Sequence, residues 1–142
     1  MRFMLLMIPG GYGEAAPGTM PEAAAVAEMM LYNEALGKAG VLLALDGLHP
    51  PSMGARVTFS GGKAAITDGP FGEAKEVVGG YWMIQVRSRE EALEWAARCP
   101  AGGRDTIEVR QVMEFSDFPA DVRVAAGSLP DLPARTDERP NS

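Results

Sequence analysis

The run Phe3-Met4-Leu5-Leu6-Met7-Ile8 is apolar at every position and stops at Pro9-Gly10-Gly11. A strand with one face in water alternates apolar and polar residues, so an unbroken apolar strand needs cover on both faces. Residues 41–45, Val-Leu-Leu-Ala-Leu, repeat the feature in a second predicted strand. Helices of the same chain can cover one side of a sheet. The simplest cover for the other is the sheet of an identical subunit, so a homodimer is expected. The first run falls well short of the ~20 apolar residues of a membrane span. It is also shorter than a usual signal-peptide core and follows a single Arg2, so a cytoplasmic protein without membrane association is expected.

Between and beyond these strands the punctuation is clear. Thr19-Met20-Pro21-Glu22 predicts a capping box that opens a helix with Pro21 in its first turn. Val26, Met29, Met30, Asn33 and Gly37 would form its inner face, and Gly37 and Gly40 its stop signals. Residues 56–59 and 63–67 flank Ser60-Gly61-Gly62, a hairpin signature. Residues 80–86 are rich in aromatic and β-branched side chains, as a strand requires. Ser88 and Glu91 form a second capping box, before a helix whose inner face is Ala92, Trp95, Ala96 and Cys99. Residues 106–113 alternate, with Ile107, Val109 and Met113 on one side.

The order strand, helix, strand, hairpin, strand, helix, strand is that of a ferredoxin-like α+β domain with a β-hairpin and loop inserted midway. The domain is placed at residues 1–118. Residues 119–142 have no hydrophobic period and read as a flexible C-terminal tail, or as an arm that orders only against a partner.

At Asp68-Gly69-Pro70-Phe71-Gly72-Glu73-Ala74-Lys75-Glu76 the chain resembles the DGPF motif of the YCII-related family. Further segments are similar to that family in the same order: Asn33-Glu34-Ala35-Leu36, Gly47-Leu48-His49-Pro50, Gly79-Gly80-Tyr81-Trp82 and Glu90-Glu91-Ala92-Leu93-Glu94-Trp95. The resemblance spans residues 1 to about 118 and implies a dimeric α+β barrel. Relatives in the wider superfamily include dehalogenating and isomerising proteins of aromatic breakdown. DGPF proteins also occur beside, or fused to, extracytoplasmic-function sigma factors.

His49 is the single histidine, and imidazole is the side-chain type best suited to exchanging protons near neutral pH, which makes it the first candidate for acid/base work. Asp68 matches the motif acid of the relatives and could orient His49 or act as base; alone, Asp-Gly is ordinary turn chemistry. Glu73, Lys75 and Glu76 either clamp an anionic ligand or form a solvated loop. Asn33 either meets a ligand or satisfies a core group. Phe71, Tyr81 and Trp82 would wall a pocket between the sheet and the loop of residues 68–76. Gly11-Tyr12-Gly13-Glu14-Ala15-Ala16 fits a degenerate dinucleotide fingerprint, but in a chain too short for the doubly wound fold, so no cofactor is expected.

One His and one Cys cannot close a zinc site, and no metal is expected. A formal net charge of -6 without a basic run disfavours direct nucleic-acid binding. Two functions remain open. One is a cofactor-independent acid/base enzyme of lyase or isomerase type, acting on a small aromatic or carboxylated compound through His49 and Asp68. The alternative is a non-catalytic ligand-sensing or regulatory module with a sigma-factor-linked protein partner.

Overall fold

The computed structural model describes residues 1–72 and 75–127. Residues 1–112 form one compact unit, and the described residues from 113 to 127 belong to a second. The first unit runs β1 (Arg2–Ile8), α1 (Ala23–Lys38), β2 (Leu42–Gly47), β3 (Ala55–Ser60), β4 (Lys63–Asp68), β5 (Gly80–Gln85), α2 (Arg89–Ala97) and β6 (Thr106–Gln111). Four strands make a sheet in the order β2-β5-β1-β6, and β3 pairs only with β4. Every pairing is antiparallel, so β1 and β2 run parallel to each other with β5 between them. With α3 (Ala120–Gly127) of the second unit, the described residues hold three helices and two antiparallel sheets, an α+β protein.

Register decides which side chains meet, because directly opposed residues share a face. Phe3 opposes Ile84, Leu5 opposes both Trp82 and Val109, and Met7 opposes Ile107. Leu42 and Leu45 of β2 join the same face opposite Ile84 and Trp82. The two helices cover this side. Tyr32 and Leu36 from α1 and Ala92 from α2 are buried against Phe3, Leu5, Trp82 and Ile84, with Met29, Trp95, Ala96 and Cys99 packed around them. Ser88 caps α2, its side chain accepting from the Glu91 N–H at 3.1 Å. Met4, Leu6 and Met83 alternate onto the other face and are only half-buried. The unbroken apolar run thus serves two faces, of which the helices cover one.

Several details differ from the expectation. Helix α1 starts at Ala23, with Glu22 at the N-cap position making no side-chain cap. The Thr19 hydroxyl instead donates to the Ala16 carbonyl at 2.6 Å, so it is spent inside the preceding loop, and Pro21 stays outside the helix. The buried stripe of α1 is Met29, Tyr32, Asn33 and Leu36, whereas Val26 (41%), Met30 (60%) and Gly37 are exposed. A segment this rich in Ala, Met and Leu supports more than one stripe. The one chosen buries the Tyr32 ring, whose hydroxyl donates to the Trp95 carbonyl at 2.7 Å.

Strand β2 extends to Gly47 with an irregularity between Leu42 and Ala44, and as an edge strand it leaves Leu43 and Leu45 exposed. Strand β6 ends at Gln111, and Met113 is 72% exposed rather than inward. The Val112 N–H reaches the Arg2 carbonyl at 2.9 Å, and β1 has no strand residue beyond Arg2 to extend the ladder. In the second unit, Glu114 and Asp117 form a reciprocal capping box around the short turn Phe115–Asp117, and α3 follows.

The stripe of α1 makes a direct prediction. Leu36→Ala removes a fully buried side chain and is expected to cost about 2–5 kcal/mol in urea unfolding, whereas Met30→Ala stays within about 0.5 kcal/mol. A larger loss at Met30 than at Leu36 would place the helix face where the sequence pattern alone puts it.

Candidate functional site

A cavity of about 600 Å3 opens on the helix side of the sheet, between α1 and the loop of residues 9–21. Met7, Met29, Leu45 and Trp82 supply its apolar wall, and its polar groups include Asn33 and His49 together with Tyr12, Thr19, Asp46 and Tyr81. Its floor is set by Trp82. The indole N–H donates to Asn33 Oδ1 at 2.7 Å, and the Tyr32 ring meets the indole edge-on, with centroids 5.5 Å apart and planes at 86°. Asn33 Nδ2 makes only a 3.8 Å contact with Met30 Sδ, which leaves it capacity as a donor.

Two hydroxyl groups help to tie down the loop over this cavity. Tyr12 donates its hydroxyl to the Leu48 carbonyl at 2.6 Å, and Ser52 donates to the Ala15 carbonyl at 2.9 Å. Burial pushes the Tyr12 phenol above its ordinary value, so the hydroxyl stays a donor through the physiological range. The glycine-rich segment after β1 thus forms a short turn, Tyr12–Glu14, and a cavity wall.

A second cavity, of about 390 Å3, lies at the base of the hairpin and includes His49, Pro50, Arg56, Phe71, Glu76 and Val77 in its lining. His49 lines both cavities and is itself exposed. The hairpin turns on Gly61 and Gly62, whose φ values of 57° and 77° suit the primed two-residue turn that L side chains rarely adopt. At its base the Gly69 N–H donates to the Gly54 carbonyl at 2.9 Å, and a Cβ on Gly69 would overlap the Pro51 carbonyl oxygen. Phe71, just beyond, lies under the Arg56 guanidinium at 4.1 Å.

Asn33, His49, Tyr81 and Trp82 therefore line the first cavity, and His49 and Phe71 the second. Tyr81 opposes Leu6 and Asp46 in register, and its hydroxyl donates to Asp46 Oδ2 at 2.7 Å. Asp68 pairs with Ala55 at the end of the hairpin, and neither it nor Lys75 lines either cavity. Among the described residues no hydrogen bond or ion pair joins Asp68 to His49. Glu73 lies outside the described residues.

Met7, Met29, Leu45, Tyr12 and Arg56 were not singled out as site residues. Met7 and Leu45 reach the site through strand register, Met29 through the inner face of α1, Tyr12 through the loop after β1 and Arg56 through its place on β3. Among the described residues no group of three or more His, Cys, Asp and Glu is arranged to hold a metal ion.

A four-stranded antiparallel sheet with two helices on one face and a ligand-sized cavity beside α1 defines an α+β protein. The sequence matches the YCII-related domain over residues 1–116, and the chain belongs to that family. It is also similar to an uncharacterized protein of Rhizobium meliloti (strain 1021), 37% identical over 59 residues, which is 42% of this chain and 48% of that protein. The chain thus matches about half the length of that relative.

Two predictions follow from the geometry. Gly69→Ala forces the hairpin base away from Pro51 and is expected to destabilise by roughly 1–3 kcal/mol, with amide exchange rising first in β3 and β4; unchanged exchange there would show that the contact is slack. Cys99 is held up to about 11 from 9.0, by burial first and the Asp105 carboxylate second. The neutral thiol therefore favours the fold below pH 9, and that contribution is lost as pH rises through about 11. At pH 8 iodoacetamide should label the native thiol roughly 100-fold more slowly than the urea-unfolded one; equal rates would contradict the burial.

Proposed function

We propose that this protein binds a small, mainly apolar, aromatic molecule in the cavity between α1, the sheet and the loop of residues 9–21, and that it does so as a homodimer. The observation that carries the reading is the cavity itself. Its volume of about 600 Å3 falls within the roughly 300–1,000 Å3 of ordinary ligand sites, and it combines an apolar wall with a small number of polar groups. Trp82 and the methionines offer stacking and adaptable packing. Asn33 Nδ2 donates to a polar atom of the ligand, and His49 at the rim is the group that exchanges a proton with it, a cofactor-independent acid/base reaction of isomerase or lyase type. Asp68 stands outside both cavities and serves the hairpin base.

The second subunit is called for by the surface that the helices leave uncovered. Met4, Leu6 and Met83 are half-buried on the far face of the sheet. The hairpin carries Val57, Phe59 and Ile66 on one side at 50%, 79% and 74% exposure. A two-stranded hairpin is marginal in water by itself, and an apolar face of this extent is characteristic of an interface. Two sheets facing each other complete a ferredoxin-like dimeric α+β barrel. Sedimentation equilibrium at micromolar concentration is expected to give twice the 15.1 kDa chain mass; a stable monomer would refute the paired assembly.

The binding reading is tested by thermal-shift screening of small aromatic acids, alcohols and lactones against the wild type and Leu45→Trp, which fills the cavity from an edge strand. A true ligand at 100 times its Kd stabilises the fold by about 2.7 kcal/mol, and Leu45→Trp should abolish that gain while melting cooperatively. Hits that stabilise both proteins equally would place binding elsewhere.

A further inference from the structure

The second cavity contains a cation and an anion that leave each other alone. Arg56 and Glu76 both line it, and among the described residues neither takes part in an ion pair. Arg56 projects from β3 and opposes Thr67 of β4 in register. Its guanidinium carbon lies 4.1 Å from the centroid of the Phe71 ring, a cation–π contact that holds the side chain beside the cavity. Pro50 and Val77, both buried, help line the same cavity, whereas Arg56 and Glu76 are exposed. His49 borders both cavities.

We propose that the second cavity holds the carboxylate end of a ligand whose apolar body occupies the first, with Arg56 as the residue that selects for it. The inference rests on the binding reading of the first cavity and adds the class of ligand: an amphipathic monocarboxylate. A planar carboxylate matches the guanidinium fork with two parallel hydrogen bonds. With Glu76 already offsetting Arg56, a phosphate dianion would leave a cavity net charge of about -2, whereas a monoanion adds only one charge. Glu76 also favours a carboxylate that carries a hydroxyl or amino donor beside it, because that donor pairs with the Glu76 oxygens.

The test uses ω-phenylalkanoates of two to six carbons and the corresponding neutral alcohols, titrated into the intact chain and into Arg56→Gln, with binding followed by methyl NMR of the methionines. Arg56 is an exposed strand residue, so the variant is expected to fold. At the best chain length the acid should bind at least ~10-fold tighter than its alcohol, as expected for a charged hydrogen-bonded pair. Arg56→Gln should remove that advantage while leaving the alcohol unchanged, and 0.5 M NaCl should weaken only the acid. If the acid shows no advantage, or keeps it in Arg56→Gln, the carboxylate site is overturned while the first cavity stands. If neither series shifts Met7 or Met29, the first cavity is not the ligand site and this inference falls with it.

Discussion

The Trp82 indole determines the arrangement on the helix side of the sheet. A buried indole N–H must find an acceptor or lose a hydrogen bond made in water. Here the acceptor is Asn33 Oδ1 on α1, which orients that helix on the sheet. The Tyr32 ring, one residue earlier, then closes edge-on against the indole, and its hydroxyl reaches the Trp95 carbonyl near the end of α2. Burial raises the Tyr32 phenol far above its ordinary value, so this donor stays protonated at any pH at which the protein works. One side chain on β5 thus ties both helices to the sheet. The space left on the far side of the indole, toward β2 and the loop of residues 9–21, is the cavity.

The Asp-Gly-Pro-Phe segment acquires a physical explanation in the same way. Asp68 ends β4 opposite Ala55, Gly69 passes so close to Pro51 that no side chain fits, and Phe71 lies beneath Arg56. Gly69 holds the base of the hairpin against the segment that follows β2, while Asp68 and Phe71 meet residues of β3 itself. In the proposed account the motif is important because it shapes the second cavity beside His49, with Arg56 as the group that meets the ligand.

The α+β order, the hairpin on Gly61 and Gly62, the Ser88 cap of α2 and the family resemblance were all legible in the sequence, because local signals carry them; the Glu91 carboxylate accepts from the Arg87 N–H instead of closing a capping box on Ser88. The start of α1 was not, since Thr19 could cap a helix or close a turn and only the loop around it decides. Nor was the buried stripe of α1, where Met30 looks as eligible as Met29 until Trp82 demands Asn33. The site was legible in part: Asn33, His49 and Trp82 line the first cavity, but its other walls come from residues distant in sequence that register brings together. Arg56 carried no signal, because an arginine in an exposed hairpin reads as an ordinary solvated charge.

The chain has nine methionines, and their positions give a direct test of the central claim. Met7, Met20 and Met29 line the first cavity, whereas Met4 and Met83 oppose each other on the far face of the sheet. With 13C-methyl methionine and an aromatic ligand found by screening, ring currents should shift the methyl signals of Met7, Met20 and Met29 and leave Met4 and Met83 in place. Shifts at Met4 and Met83 with Met7 and Met29 unmoved would contradict the account, because the ligand would then lie on the face that the helices do not cover.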